Sequence, residues 1–161
     1  IIDRPPFYII STWRENAAVF LAGAATGLMV WVTAFLLKQF IITPVFCRTA
    51  DTTGICSSGD SITFAIATIA IAAGAVALLV RLDVFRPLLV VAATVFTLWN
   101  LPSHIGGIHQ YAPTFEQIVW TVVLYALLFL VFSWIMRMRN FVISLVVAII
   151  LVIGLRLLLI R

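Results

Sequence analysis

Charged residues are scarce in this sequence. Only 10% of its 161 residues are Asp, Glu, Lys or Arg, whereas 64% are hydrophobic. Soluble globular proteins average about 25% charged and about 45–50% apolar residues. A chain of this length could not bury so large an apolar excess in one water-soluble core. The composition therefore indicates a protein that is surrounded by lipid.

The sequence also lacks the common catalytic motifs. It contains no G-x-S-x-G, no H-E-x-x-H, no phosphate-binding loop and no cluster of carboxylates. None of its six acidic residues lies in the middle of an apolar stretch, although ion-coupled pumps normally need an intramembrane carboxylate. Two histidines without a matched third ligand do not predict a metal site, and no cofactor is expected. These absences favour a non-enzymatic protein, unless a partner or a further segment supplies the chemistry.

Cysteine occurs only twice, and the two copies lie close together. Cys47 and Cys56 are both in the segment between the first two apolar stretches. Their spacing is neither that of a C-x-x-C redox pair nor that of a zinc site. We expect a disulfide that closes this loop in an oxidising compartment, with two free thiols as the alternative.

Five apolar stretches make up most of the chain. A hydrocarbon core of roughly 30 Å needs about 20 apolar residues in helical form. The sequence therefore predicts an all-α fold, a polytopic bundle of about five transmembrane helices in a single domain over residues 1–161. Segment 1–12, broken by Pro5 and Pro6, is expected to lie along the membrane surface, and Thr12 and Glu15 match the capping-box pattern of a helix start. The spans are predicted near residues 13–38, 62–81, 87–102, 115–137 and 140–159.

The distribution of arginine predicts the orientation, because cytoplasmic loops carry an excess of Lys and Arg. The first loop contains only Arg48, and residues 103–116 contain no Lys or Arg. The N-terminal segment and the second and fourth loops contain Arg4, Arg14, Arg81, Arg86, Arg137 and Arg139. We therefore expect a cytoplasmic N-terminus and, with an odd number of spans, a C-terminus outside. Short loops and a single lysine favour a prokaryotic plasma membrane.

Small residues at helical spacing predict how the helices pack. Helices in lipid gain little by hiding apolar groups from one another, so small residues that allow close approach supply the packing. Gly23 and Gly27 form a G-x-x-x-G pair in the first span, and Ala70, Gly74 and Ala77 share one face of the second. We expect these faces to form a tight hairpin, with homo-oligomerisation through the same face as the alternative. The bulkier fourth and fifth spans are expected to face lipid or a partner.

A polar segment follows the third span. It contains Asn100, His104, His109 and Tyr111, and Pro102 favours a kink in it. Non-helical backbone at membrane depth is tolerated only where protein or a wet cavity surrounds it. One hypothesis is an outward-facing site or pathway lined by these side chains, in which histidine binds a cation, senses pH or relays protons. The alternative is that the third span ends at Pro102 and an exposed loop follows.

Three cations lie near the predicted outer ends of spans, against the positive-inside bias. Lys38 follows the first span, and Arg156 and Arg161 lie near the end of the fifth. Their long side chains can snorkel to the interface. The alternative hypothesis is that they bind an anionic lipid headgroup or substrate in the outer leaflet.

Two functional classes follow from these observations. The first is a non-enzymatic helical subunit or scaffold that binds membrane partners or lipids. The second is a small oligomeric transporter or channel whose polar pathway runs from Asn100 to His109. The expected partners are the lipid bilayer and either further copies of the chain or a larger membrane complex. Arginines beside apolar spans favour anionic headgroups, so nucleic acid is not an expected partner.

Overall fold

The computed structural model of the chain describes residues 10–47, 59–99 and 114–159. Four stretches in these ranges are long and apolar enough to cross a membrane, namely Trp13–Val45, Ile62–Arg81, Phe115–Met136 and Phe141–Leu158, and the apolar helix Pro87–Leu98 is shorter. The predicted all-α fold is confirmed. The helices are α1 (Trp13–Leu37), α2 (Thr43–Phe46), α3 (Gly59–Arg81), α4 (Pro87–Leu98), α5 (Thr114–Met136) and α6 (Phe141–Leu159).

The predicted capping box starts α1. The Glu15 N–H donates to Thr12 Oγ1 at 3.3 Å, and the Thr12 N–H donates to Glu15 Oε2 at 3.4 Å. Two main-chain donors that have no partner within the helix are thereby satisfied. The chain consequently enters the bundle at a defined residue.

A π-helical turn, Lys38–Ile42, joins α1 to the short helix α2. Pro44 lies in the first turn of α2, and its ring would clash with the carbonyl four residues earlier in a regular α-helix. The wider turn relieves this clash. The Lys38 carbonyl accepts the Thr43 N–H, which closes the π-helical turn, and it also accepts the Thr43 hydroxyl at 2.8 Å.

α5 is the central helix, and it packs against α1, α4 and α6. Its large side chains Tyr125, Phe129 and Phe132 are buried. One face of this bulky span therefore packs inside the bundle, while other side chains of α5, such as Trp120 and Trp134, are exposed. The small residues on the neighbouring surface of α1 leave the space that the large buried side chains occupy.

Gly23 and Gly27 lie where α1 contacts α5. A Cβ added to Gly23 would lie 2.8 Å from Ala126 Cα, and one added to Gly27 would lie 2.9 Å from Tyr125 Cβ. Only a hydrogen atom fits at both positions, so the two helix backbones come closer than any larger residue would allow. The glycine pair thus makes a close helix contact as the sequence suggests, but with α5 and not with α3.

The small face of α3 is divided between buried and exposed residues. Thr63 and Ala67 are buried, whereas Ala70, Gly74 and Ala77 are exposed. A Cβ added to Gly74 would have no atom within 4 Å among its neighbours. The exposed part does not contact the α1 glycines, because these lie against α5. α1 and α3 nevertheless pack against each other, as a hairpin requires.

α6 lies at the periphery of the bundle. Only 11% of its membrane-spanning window is buried, and Val142, Val146 and Ile150 are among its exposed side chains. It contacts α4 and α5. A helix this apolar and this exposed agrees with the expectation that the fifth span faces lipid or a partner.

Threonine hydroxyls inside the helices bond to their own backbone. Thr26, Thr94 and Thr97 each donate to the carbonyl four residues earlier, at 2.8, 2.9 and 2.7 Å. Such bonds satisfy a buried hydroxyl within its own helix. These polar residues therefore fit in an apolar environment without a partner on another helix.

Candidate functional site at the basic end of the bundle

Several helix ends meet at one end of the bundle. The first turn of α1 contacts the residue after α5, the last turn of α5 bonds to the first turn of α6, and the residue before α4 stacks on the first residue of α6. We call this region the basic end. Its described segments carry the carboxylates Glu15 and Asp83 and the arginines Arg14, Arg81, Arg86, Arg137 and Arg139.

An ion pair ties α1 to the end of α5. The Arg137 side chain is 8% exposed, and its Nη1 donates to Glu15 Oε2 at 3.2 Å. The same oxygen accepts the Thr12 N–H, so Glu15 both caps α1 and neutralises Arg137. Removing one partner of a buried pair leaves an uncompensated charge. Glu15 itself is 52% exposed, so solvent partly screens the interaction.

Hydrogen bonds also fix the junction between α5 and α6. The Ser144 hydroxyl is fully buried and donates to the Ile135 carbonyl at 3.0 Å. Asn140 caps α6, since its Oδ1 accepts the Val142 N–H at 3.3 Å. The four residues between the two helices therefore form a defined turn that positions both helix ends.

The turn between α3 and α4 orients Arg86. Asp83 and Arg86 have positive φ angles of 52° and 55°, a conformation that costs a non-glycine residue roughly 1–2 kcal/mol. The Arg86 guanidinium carbon lies 4.7 Å from the ring centre of Phe85 and 4.8 Å from that of Phe141. Arg86 Nη1 is buried without a hydrogen-bond partner in the described part of the chain, as is Asn16 Oδ1.

The four predicted pathway residues, Asn100, His104, His109 and Tyr111, lie outside the described residues, and their role stays a prediction. The end of α4 next to them is described, and there Arg156 Nη2 donates to the main-chain carbonyl of Trp99 at 3.2 Å.

This contact is made at the end of a short helix. The 12 residues of α4 extend about 18 Å at about 1.5 Å per residue, less than a hydrocarbon core of roughly 30 Å. The predicted role of Arg156 as an outer-leaflet anion site is not tested by this contact.

The remaining predicted residues lie around the π-helical turn. Lys38 is exposed within that turn. Cys47 follows α2 and its thiol is not free. Cys56 lies outside the described residues, so the bridge between the two cysteines stays a prediction.

No group of three His, Cys, Asp or Glu side chains that could hold a metal ion occurs within residues 10–47, 59–99 and 114–159. The chain matches no protein family model, no curated protein and no solved structure. Its function has to be inferred from its own geometry.

The sequence alone does not predict two polar features of the basic end, the ion pair between Glu15 and Arg137 and the ring contacts of Arg86. Glu15 was assigned only to the capping box and Arg137 only to the orientation signal, although they pair across 122 residues. Arg86 was counted likewise as a topology marker. An arginine directly between Phe85 and Pro87, in a turn this short, is the signal that could have identified it.

Proposed function

We propose that the protein is a non-enzymatic helical subunit of a membrane assembly, and that it joins a second copy of itself through the exposed face of α3. The observation that supports this is the exposure of Ala70, Gly74 and Ala77, with open space where a Gly74 side chain would be. The glycine pair of α1 is already occupied by α5, so packing inside the described bundle does not use this face.

Helix packing in lipid explains why such a face would bind another helix. Ile66 and Leu78, both exposed, lie at the two ends of the small residues. Because Ala70, Gly74 and Ala77 have at most a methyl side chain, the helix surface between these ends is lower, and we call it the groove. A helix backbone fits such a groove closely, whereas disordered acyl chains make fewer dispersion contacts with it. Two identical grooves can face each other in a symmetric dimer, which is the commonest arrangement of homo-oligomers.

Filling the groove tests this proposal. In liposomes, Gly74→Leu is expected to weaken self-association by roughly tenfold or more, measured by energy transfer between labelled copies at several protein-to-lipid ratios. Gly154→Leu on α6 is the matched control, because a Cβ there also meets no atom within 4 Å. Both variants should unfold like the unmodified protein.

The outcomes separate cleanly. Weaker association for Gly74→Leu alone supports the α3 face. A protein that is monomeric at every ratio, or one in which the two leucine variants associate equally, contradicts it.

We further propose that the basic end faces the cytoplasm and that the C-terminus lies outside, in a prokaryotic plasma membrane. The support is that one connected set of contacts joins the segments carrying Arg14, Arg86, Arg137 and Arg139, as the positive-inside rule expects for a single side. A cysteine placed at Arg139 should react with an impermeant maleimide only after the cells are opened. Labelling in intact cells would contradict this orientation.

A transport function is the second candidate, and the contact of Arg156 with Trp99 favours it. An ionisable residue at membrane depth is by default a candidate for a substrate or ion pathway, and this one adjoins the predicted polar segment. Solute flux into liposomes that Asn100→Ala, His104→Ala and Arg156→Gln each abolish would support transport. Flux that is absent, or unchanged in all three variants, would contradict the transport function and leave only the helical-subunit proposal.

A further inference from the structure

We propose that Arg86, in contact with the rings of Phe85 and Phe141, binds the phosphate group of an anionic phospholipid at the basic end. The inference does not depend on association through α3, because it concerns the turn that follows this helix.

The Arg86 side chain is held by two aromatic rings. Its guanidinium carbon lies 4.7 Å from the Phe85 ring centre and 4.8 Å from the Phe141 ring centre, and the residue is partly exposed. The rings attract the positive charge but offer no oxygen acceptor for its N–H groups. The five N–H donors of an arginine lie in the plane of the group and match the oxygens of a phosphate.

The donors of Arg86 are not satisfied by the described part of the chain. Its Nη1 is buried and has no hydrogen-bond partner there. Arginine stays charged, so leaving such a donor without an acceptor is costly. Of the two carboxylates at the basic end, Glu15 is paired with Arg137. Asp83 is exposed and forms no described ion pair with Arg86.

The surroundings favour a lipid over a free phosphate ion. Phe85 is 41% exposed and Phe141 is 46% exposed, at the helix ends where aromatic residues meet the membrane interface. Val142, 64% exposed, continues this apolar surface along α6. An acyl chain can lie against that surface while the headgroup reaches Arg86.

Lipid binding by variants of the detergent-solubilised protein tests the proposal. Native mass spectrometry counts bound phosphatidylglycerol, with phosphatidylcholine as the neutral comparison and inorganic phosphate as a competitor. Arg86→Gln is expected to weaken phosphatidylglycerol binding about 10- to 100-fold, as for the loss of charged hydrogen bonds. Arg139→Gln is the matched control, because it removes the same charge from an exposed position at the same end.

Should Arg86→Gln fail to fold, Phe141→Leu carries the test. This variant keeps the charge of Arg86 and an apolar side chain at position 141 but removes the Phe141 ring that contacts the guanidinium. Phosphatidylglycerol binding is expected to weaken by about 2- to 5-fold. Asp3→Asn addresses a carboxylate outside the described residues, and it should leave lipid binding unchanged.

Selective loss in Arg86→Gln or Phe141→Leu, with binding retained in Arg139→Gln and Asp3→Asn, supports the site. Equal losses in the two glutamine variants would overturn it in favour of diffuse surface charge. Equal binding of the two lipids would also overturn it, as would displacement by millimolar phosphate. Stronger lipid binding by Asp3→Asn would overturn it too, because Asp3 would then be the natural acceptor.

Discussion

A methyl group added at Gly23 would push α1 away from α5. In the structure its Cβ would lie 2.8 Å from both Ala126 Cα and the Tyr125 carbonyl oxygen, and 2.9 Å from Phe129 Cβ. Two of these three atoms belong to the α5 backbone, so no side-chain rotation relieves the overlap. The helices must move apart until the contacts reach at least 3.4 Å, and the side chains around them lose part of their packing.

Two opposing terms set the magnitude of the effect. Overpacking in a well-packed contact costs typically about 1–3 kcal/mol, while replacing glycine by alanine inside a helix returns up to about 1 kcal/mol. We therefore expect Gly23→Ala to lower the free energy of unfolding by about 1–2 kcal/mol. Gly154→Ala supplies the control, because it gains the same helix propensity with no atom within 4 Å. It should be neutral or slightly stabilising.

Unfolding by sodium dodecyl sulfate in mixed micelles, followed by tryptophan fluorescence and circular dichroism, measures both variants against the unmodified protein. Gly27→Ala should behave like Gly23→Ala, because its Cβ would lie 3.0 Å from the Thr121 carbonyl oxygen. If Gly23→Ala proved as stable as Gly154→Ala, the close approach of α1 and α5 would be refuted.

Three further predictions concern polar contacts. Glu15→Gln should destabilise the protein by about 1–3 kcal/mol in the same unfolding assay, because it leaves Arg137 charged and buried; a smaller loss when Arg137→Gln is added would identify the ion pair as the cause, and an additive loss would contradict it. Ser144→Ala should cost about 1 kcal/mol, since the bond to the α5 carbonyl is lost, and unchanged stability would mean that this bond contributes nothing. A disulfide between Cys47 and Cys56 predicts that maleimide labels the denatured protein only after reduction, and labelling of both thiols without a reductant would contradict it.

The helical fold could be predicted because its signal is local. Long apolar stretches, the capping box at Thr12 and the charged turns each depend on neighbouring residues, and the structure starts α1 at Trp13 as that pattern indicates. Lipid exposure imposes the same apolar composition wherever a chain crosses a membrane, so composition indicates where the apolar helices lie. Within the described residues four stretches are long enough to cross a membrane, and the helix Pro87–Leu98 is shorter than the span predicted there.

The packing of the helices could not be predicted in the same way. In a soluble protein a polar face shows which side of a helix is outside, but here side chains on both sides are apolar. Gly23 and Gly27 indicated a close helix contact but not which helix makes it. The two glycines lie against α5, although α1 also packs against α3, the next long helix in the chain. The small residues of α3 recur at the same helical spacing as those of α1. The α1 glycines are nevertheless buried against α5, whereas Gly74 of α3 is exposed.

The candidate site was harder to predict because its contacts are long-range. Glu15 and Arg137 pair across 122 residues, and Phe141 reaches Arg86 from the start of a different helix. Each arginine looked like one more topology marker, since charge counts do not distinguish a buried guanidinium from an exposed one. Only the folded arrangement shows that Arg86 Nη1 is buried without an acceptor among residues 10–47, 59–99 and 114–159.

The distance in the chain between α1 and α5 has a consequence for biosynthesis. Ala126 follows Gly23 by about 100 residues, which a ribosome needs about 5–20 s to add at about 5–20 residues per second. During that interval α1 has been synthesised, but α5, which packs against Gly23 and Gly27, has not. Completion of the tertiary structure must therefore come late in translation, and a chain released before α5 should be recognised as incomplete and degraded.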